Sequence, residues 1–73
     1  MMTADDLFKQ KVQSYGFERK IYHATCTELM VFIHEGATPL YFNRDNGDGT
    51  YSHTVRFHGK HFTANTAQRL SAL

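Results

Sequence analysis

An unbroken apolar run, Leu29-Met30-Val31-Phe32-Ile33, constrains the fold of this 73-residue chain more than any other feature. If the run is a strand, its side chains alternate between the two faces of a sheet, so both faces are apolar and need cover. A chain this short has little material with which to build two covering layers. We therefore expect one sheet face to be completed by a second copy, a partner, or a ligand that stacks on it.

The same segment has an alternative interpretation as a helix. Thr25 and Glu28 have the spacing of a capping box, which would open a helix running to His34. The β-branched and aromatic residues of the run, its short length, and Gly36 followed by Pro39 favour a strand. We predict a strand over residues 28–34 and keep the helix as the alternative.

The N-terminal part of the chain predicts an amphipathic helix over residues 4–15. Thr3 is a candidate N-cap, and Asp5 and Asp6 lie in the first turn, where the helix dipole favours negative charge. Apolar residues follow at helical spacing, and Gly16 stands where a C-terminal glycine cap belongs.

The rest of the chain predicts a four-stranded sheet and a second helix. Alternation and turn residues place strands at residues 17–23, 28–34, 38–43 and 50–58. Asp45-Asn46-Gly47-Asp48-Gly49 predicts a hairpin turn. A last helix is predicted to start at Phe62-Thr63, with Thr63 or Asn65 as its cap and Asn65 with Gln68 as a candidate capping box. Short connections favour an antiparallel meander. We expect one two-layer α+β domain over residues 1–73, with the order α-β-β-β-β-α and a helix at each end.

The sheet face away from the helices is the predicted binding surface. Its strand positions mix aromatic, apolar and cationic side chains, as protein interfaces and sheets that stack single-stranded nucleic acid do. In the first strand, Phe17 and Ile21 are expected to face the core and Tyr22 to face outward. We expect the binding residues to be Tyr22, Met30, Phe32, Tyr41, Arg56, His58 and Lys60. The opposite register of the second strand would expose Leu29, Val31 and Ile33 instead.

Composition narrows the classes of function. The net charge is +1 with histidines neutral, well below that of a protein that coats DNA. Cys26 is the single cysteine, so no internal disulfide can form, which favours a reducing, cytoplasmic setting. The first residues are polar and no apolar run approaches the length of a bilayer span. We therefore expect neither a signal peptide nor membrane contact.

No pattern predicts a metal, a cofactor or a catalytic residue. His58 and His61 could meet across a turn, but a zinc site needs three or four converging ligands. The turn at residues 45–50 lacks the ligand spacing of a calcium loop. Cys26 has no motif around it, and no pair of carboxylates has a cleft-forming placement.

The segment Thr54-Val55-Arg56-Phe57-His58-Gly59-Lys60, together with Gly16-Phe17, resembles parts of HicA-type toxins, which are small RNA-cleaving domains. The Gly-Ser/Thr-His element that should carry the chemistry is absent, since residues 22–27 read Tyr-His-Ala-Thr-Cys-Thr. The resemblance covers scattered positions only, and no residue role is transferred from it.

We therefore predict a small, non-enzymatic binding or regulatory module that acts through its open sheet face. Protein contact with self-association as a homodimer is the first hypothesis, because large apolar patches are rare on monomers and small chains gain stability by pairing. Binding of RNA or single-stranded DNA is the alternative. A small hydrolase or toxin is the third hypothesis.

Overall fold

The chain is an α+β fold in which two helices cover one face of a four-stranded sheet. A computed structural model describes residues 3–71. The elements in chain order are α1 (Ala4–Tyr15), β1 (Ile21–His23), α2 (Cys26–His34), β2 (Thr38–Asp45), β3 (Tyr51–Phe57) and β4 (Lys60–Thr66). The predicted α+β class, four-stranded sheet and N-terminal helix are confirmed. The all-antiparallel meander was wrong, and so was the C-terminal position of the second helix, which lies between β1 and β2.

Helix α1 has the predicted bounds, and its start is fixed by reciprocal hydrogen bonds. The Thr3 hydroxyl accepts from the Asp6 amide at 3.1 Å, and the Thr3 amide donates to the Asp6 carboxylate at 3.2 Å. Gly16 ends the helix at φ +94°, a conformation that favours glycine, and its amide donates to the Val12 carbonyl.

Helix α2 replaces the predicted strand over residues 28–34. The Thr25 hydroxyl accepts from the Glu28 amide at 3.1 Å, and the Thr25 amide donates to the Glu28 carboxylate at 2.8 Å. This capping box is the alternative that the sequence offered. The helix forms because strand propensity depends strongly on context. As a helix, the segment buries Leu29 and Phe32 against the sheet and leaves Met30 exposed.

Strand β1 is shorter than predicted, and its faces are reversed. Only residues 21–23 pair, and Tyr22 is fully buried while Ile21 is 53% exposed. Phe17, which was expected in the core, is 68% exposed in the loop before the strand. Because α2 follows β1 and carries the chain away, β1 pairs in parallel with β4 rather than with its neighbour in sequence.

Strand β4 occupies the segment that was predicted to begin the last helix. It runs antiparallel to β3 with Phe62 opposite Val55, and Asn65 lies inside the strand instead of capping a helix. A tight turn joins the two strands, and its central residues His58 and Gly59 have φ of +50° and +76°. Positive φ at both central positions suits the twist of a two-residue hairpin.

The sheet has the strand order β1-β4-β3-β2, with β2, β3 and β4 forming an antiparallel meander. The predicted turn between residues 45 and 50 is confirmed, with Gly47 and Gly49 at φ of +82° and +88°. The core lies between this sheet and the helices, and its largest fully buried apolar side chains are Tyr22, Phe32, Phe62, Leu29, Val12 and Val55.

Candidate functional site

The sheet face opposite the helices is the open face. Val55 and Phe62 point into the core. The residues next to them along β3 and β4 therefore point to the open face, because side chains alternate along a strand. The residues of β1 and β2 that pair with these open-face residues lie on the same face. The residues of the open face are Ile21, His23, Thr38, Tyr41, Arg44, Ser52, Thr54, Arg56, His61, Thr63 and Asn65.

The open face is polar and carries cations without carboxylates. Its arginines, Arg44 and Arg56, are exposed, and Arg56 pairs across the strands with His61. None of its described residues is acidic, because the aspartates and glutamates lie on the helices, in loops, or at Asp45 on the other face of β2. The face is therefore cationic although the net charge of the chain is only +1.

Tyr41 and Arg44 form an aromatic and cationic unit on strand β2. The Arg44 guanidinium carbon lies 5.0 Å from the centre of the Tyr41 ring, within the range of a cation–π contact. The Thr54 hydroxyl, followed by the Arg44 side chain, lowers the pKa of the Tyr41 phenol. Tyr41 is 37% exposed, so its ring still offers a surface to a ligand.

Small hydroxyl side chains form the floor of the open face. The hydroxyls of Thr54 and Thr63 are 2.9 Å apart on neighbouring strands, and Thr54 is 3% exposed. Ser52 donates to the side-chain oxygen of Asn65 at 2.8 Å. These short side chains leave a shallow surface between the larger groups at its margins, with hydrogen-bonding groups within reach of a flat ligand.

Of the predicted binding residues, Tyr41 and Arg56 lie on the open face. The placement of Tyr22 and Phe32 there was wrong, because both are fully buried beneath the helices. The Tyr22 hydroxyl donates to the Gly16 carbonyl at 2.6 Å. Met30 is 41% exposed, but it lies on α2 rather than on the sheet.

His58 and Lys60 lie at the β3–β4 turn instead of on the open face. The His58 imidazole is 2.9 Å from the Asp5 carboxylate, and the Lys60 ammonium donates to the Phe17 carbonyl at 2.7 Å. Both side chains therefore tie the turn to the segments at the two ends of α1. The structure does not bring the seven predicted residues together into one site.

Sequence reasoning missed His23, Arg44 and His61 as members of the open face. The signal for His61 was present, since polar and apolar side chains alternate from His61 to Asn65 as they do in a half-buried strand. The candidate capping box at Asn65 concealed that alternation. His23 was missed because β1 had been assigned the opposite face.

His53 belongs to a separate polar cluster on the helix side of the sheet. Its Nδ1 atom accepts from the Asn43 amide at 3.0 Å, so Nε2 carries the proton and donates to the Thr66 hydroxyl at 2.8 Å. The Asn43 side chain also bonds both backbone groups of Leu70. Burial lowers the pKa of His53, and the cluster fastens the C-terminal segment to β2.

The histidines do not assemble into a metal site in this fold. Within residues 3–71, no three histidine, cysteine, aspartate or glutamate side chains are placed to hold a metal ion. His58 is 2.9 Å from Asp5 at the β3–β4 turn, and His53 is buried on the helix side of the sheet. Both imidazoles are therefore separated from the histidines of the open face.

A second candidate surface is an apolar groove between the N-terminus of α1 and the outer side of α2, here called the helix groove. It encloses about 510 Å³. Its apolar wall comes from Met30, Val31 and Ile33, and Ala4 closes it from α1. The groove is therefore lined by the part of the apolar run Leu29–Ile33 that stays exposed.

No protein-family model, curated protein or solved structure matches this chain significantly. The resemblance of residues 54–60 to HicA-type toxins therefore gains no support. Neither helix in the described part of the chain is long and apolar enough to cross a membrane.

Proposed function

We propose that this protein is a small, non-enzymatic binding module whose open face binds single-stranded nucleic acid. The observation that carries the proposal is the segregation of charge. Arg44 and Arg56 share one exposed sheet face with His23 and His61, and no carboxylate lies among them. A chain of phosphates is the partner that such a face attracts most strongly.

The other groups of the open face suit an unpaired strand. Tyr41 offers an exposed ring on which a base can stack, and Arg44 beside it can contact the adjoining phosphate. Thr38, Ser52 and Asn65 can form hydrogen bonds with base edges or sugar hydroxyls. A single strand can lie on a shallow sheet face. Reading the major groove of a duplex needs a protruding helix or two-stranded ribbon, and the open face is formed by the flat strands instead.

The binding is expected to be weak and to depend on salt. Arg44 and Arg56 are the permanently charged residues of the open face. Two phosphate contacts to a single strand predict a slope of about −1.4 when the logarithm of the association constant is plotted against that of the salt concentration. A slope near zero would contradict phosphate recognition by these arginines.

Fluorescence anisotropy with a labelled oligouridylate or oligothymidylate tests the proposal. Tyr41→Ala should weaken binding about 5-fold to 150-fold, because stacking of a base on an aromatic ring contributes about 1–3 kcal/mol. Arg56→Ala should weaken binding more than Lys9→Ala, which removes the same charge from the exposed side of α1. Equal effects of the two charge-removing variants would contradict a site on the open face.

Self-association is the second candidate function, and it moves from the sheet to the helix groove. An apolar strand with two faces gives no support to self-association, because residues 29–33 are helical. The observation that favours it now is the apolar groove beside the half-exposed Met30. Sedimentation should detect a dimer that Met30→Glu dissociates, and a wild-type monomer at high micromolar concentration would contradict this candidate.

A further inference from the structure

A pocket of about 530 Å³ adjoins the β1 side of the open face, and we call it the edge pocket. The loop before β1 and the turn between β3 and β4 enclose it. Its walls include Phe17, Arg19, Lys20, Ile21, Lys60 and His61. The pocket thus combines exposed apolar surface with several cationic side chains.

The edge pocket is continuous with the open face. Ile21 and His61 line the pocket and also belong to the open face, where they are paired with each other. His61 is paired on its other side with Arg56. A row of side chains therefore leads from Arg56 across β4 into the pocket, so a ligand on the sheet can extend into it.

Phe17 and Ile21 supply the apolar surface of the edge pocket. Their exposed fractions, 68% and 53%, are the largest among the large apolar side chains of residues 3–71. Exposed in this way, neither side chain contributes its full burial energy to folding. A flat, apolar ligand group would cover both, and a nucleobase has that shape and chemistry.

Lys60 shapes the edge pocket, and Lys20 supplies a cation for a ligand. The Lys60 ammonium donates to the Phe17 carbonyl at 2.7 Å and so holds the two walls together. The Arg19 guanidinium lies 5.4 Å from the centre of the Tyr15 ring. Within residues 3–71, the Lys20 side chain forms neither an ion pair nor a hydrogen bond, so its ammonium can bind a phosphate without breaking another contact.

The edge pocket keeps an excess of positive charge. Glu18 also lines it, but Arg19, Lys20 and Lys60 outnumber this carboxylate. The surrounding charge therefore favours an anionic ligand over a neutral one.

We infer that the edge pocket holds one nucleotide of the strand that crosses the open face, with its base against Phe17 and Ile21 and its phosphate at Lys20. The inference rests on the proposed function, which supplies the strand. Tyr41 on β2 and the pocket beyond β1 lie at opposite margins of the sheet, separated by three inter-strand spacings, or about 14 Å. A strand running across the sheet would meet an aromatic ring at each margin.

An amide NMR titration with adenosine monophosphate, run beside one with inorganic phosphate, tests the pocket directly. Adenosine monophosphate should shift the amides of residues 17–21 and 59–61, and inorganic phosphate at the same concentration should shift them much less. Equal shifts from the two ligands would overturn nucleotide recognition, since they would reveal a simple anion site. The absence of shifts from both would also overturn it.

Oligonucleotide binding by variants separates this inference from the proposed function. Phe17→Ala should keep the wild-type melting temperature, because the side chain is exposed, and should weaken oligonucleotide binding about tenfold. Lys20→Ala should weaken binding several-fold more than Lys9→Ala does.

Two outcomes separate a failure of the edge-pocket inference from a failure of the proposed function. If Tyr41→Ala and Arg56→Ala weaken oligonucleotide binding while Phe17→Ala and Lys20→Ala do not, the pocket inference is overturned and the proposed function stands. If adenosine monophosphate shifts the pocket amides but Tyr41→Ala and Arg56→Ala leave oligonucleotide binding unchanged, the edge pocket is a mononucleotide site, and both the proposed function and the strand crossing the open face are overturned.

Discussion

Phe32 and Met30 lie two residues apart on α2, and truncating each to alanine should have very different effects on stability. Phe32 is fully buried, with its ring centre 4.6 Å from that of Phe62 and 4.9 Å from that of Phe57. Removing a buried phenylalanine side chain costs about 3–5 kcal/mol, because it loses transfer energy and leaves a cavity. Met30 is 41% exposed, so Met30→Ala should cost about 1 kcal/mol or less.

The predicted loss from Phe32→Ala is large compared with the stability of the whole chain. At about 0.05–0.15 kcal/mol per residue, 73 residues give a free energy of unfolding of roughly 4–11 kcal/mol. For a domain of this size, about 1 kcal/mol corresponds to a melting-temperature change of about 4–8 °C. Phe32→Ala should therefore lower the melting temperature by at least about 12 °C or unfold the chain, and Met30→Ala by no more than about 4–8 °C.

Urea and thermal unfolding followed by circular dichroism measure both variants under the same conditions. In a strand, residues 30 and 32 would point to the same face and suffer similar losses, whereas in α2 they point in different directions. Similar destabilisation by the two substitutions would refute the helical placement of this segment and the core built on Phe32.

Three further perturbations test other parts of the fold. Val12→Asp should destabilise the chain by several kcal/mol, because it places a charge at a position that is 1% exposed, and an unchanged melting temperature would remove α1 from the core. Replacing Gly47 and Gly49 together by valine should cost more than about 1 kcal/mol, because both have positive φ, and an unchanged urea midpoint would contradict the turn. The lowered pKa of His53 means that the unfolded chain takes up the extra proton first, so the free energy of unfolding should fall as the pH drops below about 6.5. His53→Gln should flatten that dependence, and an identical pH profile would contradict the buried neutral imidazole.

Local signals were sufficient where a few residues determine the backbone. Thr3 and Gly16 mark the two ends of α1, and Gly47 and Gly49 mark the β2–β3 turn, because caps and positive φ depend on the residues themselves. These elements were predicted with nearly the observed bounds.

Long-range packing determined what the sequence could not resolve. The run Leu29–Ile33 is apolar throughout, so it has no periodicity to distinguish a buried helix from a strand. Thr25 and Glu28 carried the correct signal, while Asn65 and Gln68 carried an equally good one that the fold does not use. A capping box is local, and only packing decides whether a helix follows it.

The errors in the candidate site have the same origin. A one-residue change of register moves every side chain of a strand to the other face, and this change buried Tyr22 and exposed Ile21. Tyr41 and Arg56 were placed correctly because β2 and β3 are joined by a turn whose glycines could be recognised. The parallel pairing of β1 with β4 joins segments that are distant in sequence, and no local pattern predicts such a pairing.

An amide NMR titration with a single-stranded oligonucleotide tests most directly the proposal that the open face binds an unpaired nucleic acid strand. We expect salt-sensitive shifts at Tyr41, Arg44, Arg56 and His61, with α2 unaffected except where it touches the sheet. Shifts confined to the helices, or no shift at low salt and high oligonucleotide concentration, would contradict the proposal.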